Sequence, residues 1–257
     1  MHIQVERAIE LGLEQICFTE HLDLDPAEYD LRLARPGDER DGFLDEQKYD
    51  QIFNDCQRIY GQKITLLQGV EAGELARFAE LGHRIITAHD YDFVLGSVHS
   101  LYDMQLSVPW LEKPSNAKQV YNDFFLKELA LAQNPDFDVL AHLDIVKRHS
   151  ITLYGPFDPT PYEEIIREIF SRIISTGKGI EINTSGLRQL PQETMPSFQM
   201  IKWYKEMGGE ILTLGSDAHS PENIAYRFDY ANDLAQAAGF KYLTTFVKRK
   251  PSFYRIY

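Results

Sequence analysis

The stretch Leu214-Gly215-Ser216-Asp217-Ala218-His219 decides how this chain is read. The preceding run, residues 210–214, has the apolar content of a buried strand, and it stops at a carboxylate and an imidazole two residues apart. Alternate positions of an extended segment face the same side, so this reading turns Asp217 and His219 toward one site and Ser216 and Ala218 away from it. Taken alone, the same letters also suit a helix N-cap after a strand. Repetition of the pattern elsewhere favours the first reading.

Outward from that stretch, other strand-like runs end in the same way. Residues 14–19 lead to Glu20-His21, residues 64–70 to Glu71, residues 93–98 to His99, and residues 138–141 to His142 with Asp144 just beyond. A further run, 179–183, passes into Asn183-Thr184-Ser185-Gly186-Leu187-Arg188. Between them, helical periodicity predicts helices over 3–13, 45–60, 75–87, 117–132, 162–176, 197–207 and 227–238, with a last strand over 242–247. Residues 22–43 are acidic, carry Pro26, Pro36 and Gly37 and have no period, which reads as a long loop over the site. Residues 102–114 read as an excursion with a short strand.

Strand and helix alternating throughout predict a parallel α/β architecture, and the unit spacing fits a closed barrel of one domain over 1–257. Neither GxGxxG nor GxxxxGK[ST] occurs. In a barrel the C-terminal ends of different strands converge on one face, where His21, Glu71, His99, His142, Asp217 and His219 all fall. A lone histidine after an apolar run is more often a hydrogen-bonded core residue than a ligand. Glu71 resists that reading, because a carboxylate closing an apolar strand must be solvated or paired. Mixed imidazole and carboxylate donors suit zinc, manganese or iron. Arg188, after a glycine at a strand mouth, suits a bidentate grip on phosphate, although capping or an ion pair would also occupy it. His2 and His83 read as surface residues.

Composition narrows the class. A chain of 257 residues with 44% hydrophobic content can bury a large core. A formal net charge of -13 argues against a nucleic-acid partner or an anionic membrane, while leaving room for a small anion bound through metal. Cys17 and Cys56 form no CxxC pair and read as thiols of a reducing compartment. No run of about 18 apolar residues and no signal pattern is present. The expectation is a cytoplasmic protein acting on a small molecule.

The ordered set Phe18-Thr19-Glu20-His21, Gly69-Val70-Glu71, Gly96-Ser97-Val98-His99, Ala141-His142-Leu143-Asp144, Asn183-Thr184-Ser185-Gly186-Leu187-Arg188 and Gly215-Ser216-Asp217-Ala218-His219 resembles the PHP (polymerase and histidinol phosphatase) superfamily. The 183–188 segment and Lys241-Tyr242-Leu243-Thr244 are most similar to its histidinol-phosphate phosphatases. The resemblance implies a distorted (β/α)7 TIM-like barrel with a trinuclear centre of divalent metals. Glu71 would bridge two of them, one shared with Asp217 and the other with His99 and His142; His21 and His219 would hold the third, with Glu20 nearby. Arg188 would grip phosphate, and Asp217 or His219 would serve as the catalytic group delivering a proton to the leaving alkoxide. The implied reaction is hydrolysis of L-histidinol phosphate, a phosphate ester, to L-histidinol and phosphate in histidine biosynthesis.

The resembling family opens on a strand carrying His-x-His, and this chain opens on the helix that would follow it. The expectation is therefore a barrel lacking its first strand, with an unpaired edge, poor metal binding at two of three sites and weak or no activity. Two other classes stay open: a PHP-type hydrolase of another phosphate ester, which a panel of esters would reveal, and a truncated non-catalytic barrel.

Overall fold

The computed structural model describes residues 1–24, 44–102, 104–106 and 116–256. Most of the expected loop over 22–43 and of the excursion over 102–114 lies outside the described residues. Helix α1 (His2–Glu10) turns at Gly12, whose φ of 74° suits glycine, into β1 (Gln15–Asp23). The strand is longer than the periodicity implied and holds His21 within its ladder. Helix α2 (Glu46–Tyr60) begins where the Asp45 carboxylate accepts from the Lys48 amide at 3.0 Å, and it buries Tyr49, Phe53, Cys56 and Tyr60 along one face.

Strand β2 (Thr65–Gly73) is followed by α3 (Ala79–Thr87) and β3 (Phe93–Ser97). Helix α3 starts later than residue 75: residues 75–77 form a separate turn, and Phe78, at φ -123° and ψ 46°, stands outside helical conformation just before it. A two-strand ribbon of β4 (Ser100–Leu101) and β5 (Met104–Gln105) precedes α4 (Ala117–Leu131) and β6 (Val139–Leu140). Helix α5 (Val146–Tyr154) comes next, then α6 (Glu163–Ser175), β7 (Gly179–Asn183), a 3-10 turn at Ser185–Arg188, α7 (Phe198–Glu206), β8 (Leu212–Gly215), α8 (Phe228–Ala237) and the hairpin β9 (Tyr242–Val247) with β10 (Lys250–Arg255).

Six parallel strands form one sheet in the order β1-β2-β3-β6-β7-β8. The sheet curls as a half-barrel and does not close: among the described residues β1 ladders only with β2, and β8 only with β7. Beside β8 stands β9, to which the Leu212 amide donates through Thr244 Oγ1 at 3.2 Å. Register places His21 opposite Glu71 and Asn183 opposite Gly215. The central strands are buried on both faces, as helix-covered parallel sheets are, every residue of β3 and of β7 being buried, whereas the edge strand β1 is buried only at Phe18 and Leu22.

The apolar core holds Phe124, Phe125, Phe137, Phe170 and Tyr204 at essentially no exposure. Burial of side chains of this size stabilises by about 1.5–3 kcal/mol each. The Tyr49 hydroxyl clamps α2 to the sheet, lying 2.8 Å from the Phe18 carbonyl and 2.9 Å from that of Gly69. At about the same level along the sheet, the Asp138 carboxylate accepts from the Val94 amide and from Arg249 Nε, pinning the β9–β10 hairpin to the strands. The result is a rigid floor with the C-terminal strand ends gathered above it.

Candidate metal centre

At the end of β2, Glu71 is 7% exposed and gathers three imidazoles. Its Oε1 lies 2.6 Å from His142 Nε2 and 3.0 Å from His99 Nε2, and its Oε2 lies 3.5 Å from His21 Nδ1. Ring centroids are 5.1 Å apart for His21 and His99, 5.5 Å for His99 and His142, and 5.7 Å for His21 and His219. Ligand atoms of His21, Glu71 and His99 all fall within 4.8 Å of one another. Thus four strand ends deliver one compact donor set.

The hydrogen bonding shows what this set is built to hold. His99 Nδ1 sits 2.6 Å from Asp23 Oδ1, and an ionised carboxylate only accepts, so Nδ1 carries the proton. The other nitrogen, Nε2, then faces an anionic Glu71 oxygen and needs either a second proton or a cation between them. Burial works to raise the Glu71 pKa, but His99 and His142 outweigh it and hold the carboxyl well below its usual range. Burial likewise opposes charge on His99, and Glu71 and Asp23 outweigh it, raising the imidazole well above 6.5. Positive charge is favoured at this point, and a divalent cation supplies it as a proton does. The donor set therefore fits a metal.

Backbone is held as firmly as the rings. The His99 amide donates to Glu74 Oε1 at 3.1 Å, and the His142 amide donates to Glu181 Oε2 at 3.0 Å. His142 itself has φ 25°, a conformation an L-residue keeps only when its surroundings impose it.

The Asp217 loop departs from the extended reading. Asp217 has φ 48°, so alternation breaks there. Its side chain is 16% exposed while that of His219 is 71% exposed, and the two do not share one inward face. They remain in contact, His219 Nδ1 lying 3.4 Å from Asp217 Oδ1. Asp217 Oδ2 accepts from Arg148 Nη2 at 3.1 Å. Burial and Glu71 push the Asp217 carboxyl upward, but His142, Arg148 and His219 together bring it below its ordinary value. Arg188 Nη1 and Nη2 donate to the carbonyls of Ser216 and Asp217 at 2.7 and 2.6 Å, so this guanidinium braces the loop. Glu20 is exposed on the rim.

A cavity of about 550 Å³ opens here, with Glu71, His142, Glu181, Asn183, Asp217 and His219 in its lining. Apolar side chains such as Leu67, Phe93, Leu95 and Phe246 line the rest of it, so the polar groups are a minority gathered at the strand ends, as in most small-molecule sites. Sequence reading missed Asp23, Glu74, Arg148 and Glu181. Asp23 had a signal, since it stands two positions after His21 and shares its side of β1. Arg148 lies on α5, a helix whose pattern went unread, and its Nη2 reaches both Asp217 and Ser185 Oγ, the latter at 3.2 Å.

Comparison with known proteins places the chain in a family. The family model described as PHP domain matches residues 1–185. The chain belongs to the PHP family. This PHP protein is 32% identical over 251 residues, 94% of its own length and 86% of the relative's, to a histidinol-phosphatase of Lactococcus lactis. It is 29% identical to a probable histidinol-phosphatase of Clostridium acetobutylicum, covering 93% of this chain and 89% of that one. The crystal structure of the histidinol phosphate phosphatase of Lactococcus lactis, complexed with zinc, L-histidinol and phosphate, superposes with TM-score 0.80 and 28% identity, covering 97% of this chain and 91% of that chain. A structure from Listeria monocytogenes shares the fold at TM-score 0.72 with 16% identity, covering 89% of this chain and 92% of that one. No helix among the described residues is long and apolar enough to cross a membrane.

Proposed function

We propose that this PHP protein is a metal-dependent phosphatase that hydrolyses L-histidinol phosphate to L-histidinol and phosphate, as a cytoplasmic enzyme of histidine biosynthesis. The observation that carries the reading is the likeness, over 97% of the chain, to a structure holding zinc, L-histidinol and phosphate. It is supported by the donor set built on Glu71, beside which two guanidinium groups stand at the Asp217 loop.

In this reading Glu71, His99 and His142 would hold one divalent metal, Glu71 and Asp217 would contribute to a second, and His21 and His219 to a third. Zinc, manganese and iron all suit these donors. Bound there, divalent cations neutralise phosphoryl oxygens and the leaving oxygen as charge develops. The residues of the chain do the rest. Arg148 and Arg188 orient the phosphate and fix its register against the Asp217 loop, a planar guanidinium being suited to two oxygens at once. His99, kept in one tautomer by Asp23, turns Nε2 inward. Asp217 or His219, in contact with each other in the cavity wall, would move a proton to the alcohol product.

Phosphate release from L-histidinol phosphate, measured with added manganese or zinc against a panel of sugar, glycerol and aryl phosphates, tests the assignment. The expected result is a kcat/KM at least about tenfold above every other ester, abolished by chelator. Equal rates across the panel would leave a phosphatase of another substrate.

A further inference from the structure

Glu181 has no part in the metal set or the phosphate grip described above, yet it stands between them. It lies in the middle of β7, 4% exposed, in the wall of the cavity. Its Oε2 accepts from the His142 backbone amide at 3.0 Å and from Asn183 Nδ2 at 3.1 Å. Asn183 Oδ1 in turn accepts from the Ser185 amide at 2.9 Å, at the first residue of the turn that ends on Arg188. Ser185 Oγ receives Arg148 Nη2, which also holds Asp217. A chain of hydrogen bonds thus runs from His142 to Arg148, and it joins Arg188 through the 185–188 turn and through Asp217, whose carbonyl accepts from Arg188 Nη2; Glu181 is its first link.

Two backbone features show that the placement is imposed. His142 adopts φ 25°, and the amide of that strained residue is the one Glu181 receives. Gly215, on the neighbouring strand, leaves space for the carboxylate, because a Cβ there would overlap Glu181 Oε1. An alanine at Gly215 would move the carboxylate without removing it.

We propose that Glu181 is a positioning residue that sets the spacing between the metal-holding His142 and the phosphate-binding Arg148 and Arg188. The proposal rests on the metal and phosphate roles assigned above and deepens them. Its action is through accepted hydrogen bonds. A glutamine at 181, whose carbonyl oxygen accepts both bonds, therefore preserves it, and an alanine does not.

The test uses the full chain and probes that do not depend on the organic half of the substrate: manganese titration, and binding of inorganic phosphate to the manganese-loaded protein. In Glu181→Ala both affinities are expected to fall together, each by about 10–100-fold, the range for losing a group that orients a metal ligand. Glu181→Gln should stay within about threefold of the parent in both, and Gly215→Ala should reproduce the double loss with the carboxylate present. Circular dichroism and Tm identify which variants fold; if Glu181→Ala does not, Gly215→Ala and Glu181→Gln decide the matter. A folded Glu181→Ala or Gly215→Ala that binds both probes as the parent does, or loses one affinity alone, overturns the proposal, as does loss of both in Glu181→Gln. A parent that binds manganese and phosphate but spares L-histidinol phosphate would sink the substrate assignment and leave this test standing.

Discussion

Removing the Asp23 carboxylate should weaken metal binding without unfolding the protein. Asp23 Oδ1 holds His99 Nδ1 at 2.6 Å, the length of a charge-assisted bond, with side-chain exposures of 26% and 17%. Hydrogen bonds to charged groups contribute about 1.5–3 kcal/mol, and partial solvent access places this one toward the lower end. Loss of such an orienting partner typically costs about 10–100-fold in metal affinity, or about 1.4–2.8 kcal/mol. Asp23→Ala is expected to show that loss. Asp23→Asn keeps a neutral acceptor of the same shape and should lose about half as much free energy, because neutral bonds have roughly half the strength. Gly73 offers an independent perturbation, since a Cβ at that position would overlap Asp23 Oδ1 and Gly73→Ala should therefore push the carboxylate aside. The assay is competition for zinc or manganese against a chelator of known affinity, with Tm as the control for folding. Parental affinity in a folded Asp23→Ala would refute the orienting role, and with it the tautomer argument on which the fit of a metal rests.

Four further outcomes follow from the same geometry. In metal-free protein the raised His99 pKa contributes stability that is fully present below pH 6.5 and lost as pH climbs through the raised value, whereas the lowered Glu71 pKa contributes stability present above pH 4.5 and lost only as pH falls through its depressed value. Because metal displaces the His99 proton, manganese affinity should rise steadily from about pH 6 to 9, and a flat profile would show that His99 is not a ligand. Arg148→Ala should raise KM and the inhibition constant of inorganic phosphate about tenfold or more with Arg148→Lys restoring little, and steady-state kinetics showing only a lower kcat would exclude a phosphate contact. Tyr49→Phe should cost about 1 kcal/mol, or about 2–4 °C in Tm, and leave metal affinity largely untouched, since its hydroxyl ties α2 to the backbone carbonyls of Phe18 and Gly69 and touches no side chain of the donor set.

Much of this was legible in the residues because the fold repeats one physical device. A parallel strand buried on both faces reads as an apolar run, and a polar residue at its end stands out. His21, Glu71, His99, His142 and Asp217 were visible in that way, and the structure brings them within reach of one another. The orientation of His219 was not visible: alternation assumes extended backbone, and Asp217 is left-handed. Glu74 and Glu181 were hidden for a different reason. Their carboxylates serve backbone amides from other strands, and no local spacing encodes which amide a side chain will meet. Helix α5 escaped notice because its buried residues include Lys147 and Ser150, which disguise the apolar period. Lys147 is paired there with Asp144 and Glu193, each at 2.9 Å. The hairpin strand β10 is exposed along its whole length and carries no burial pattern to read.

The claim at the centre of this account is that Glu71 gathers imidazoles around a divalent cation beside a guanidinium-lined phosphate site. Anomalous diffraction from crystals of the protein grown with manganese and phosphate tests it directly. The account predicts a manganese peak bonded to Glu71, His99 and His142, with phosphate oxygens meeting Arg148 on the Asp217 side. Manganese held elsewhere, with the Glu71–His99–His142 hydrogen bonds left intact, would contradict it.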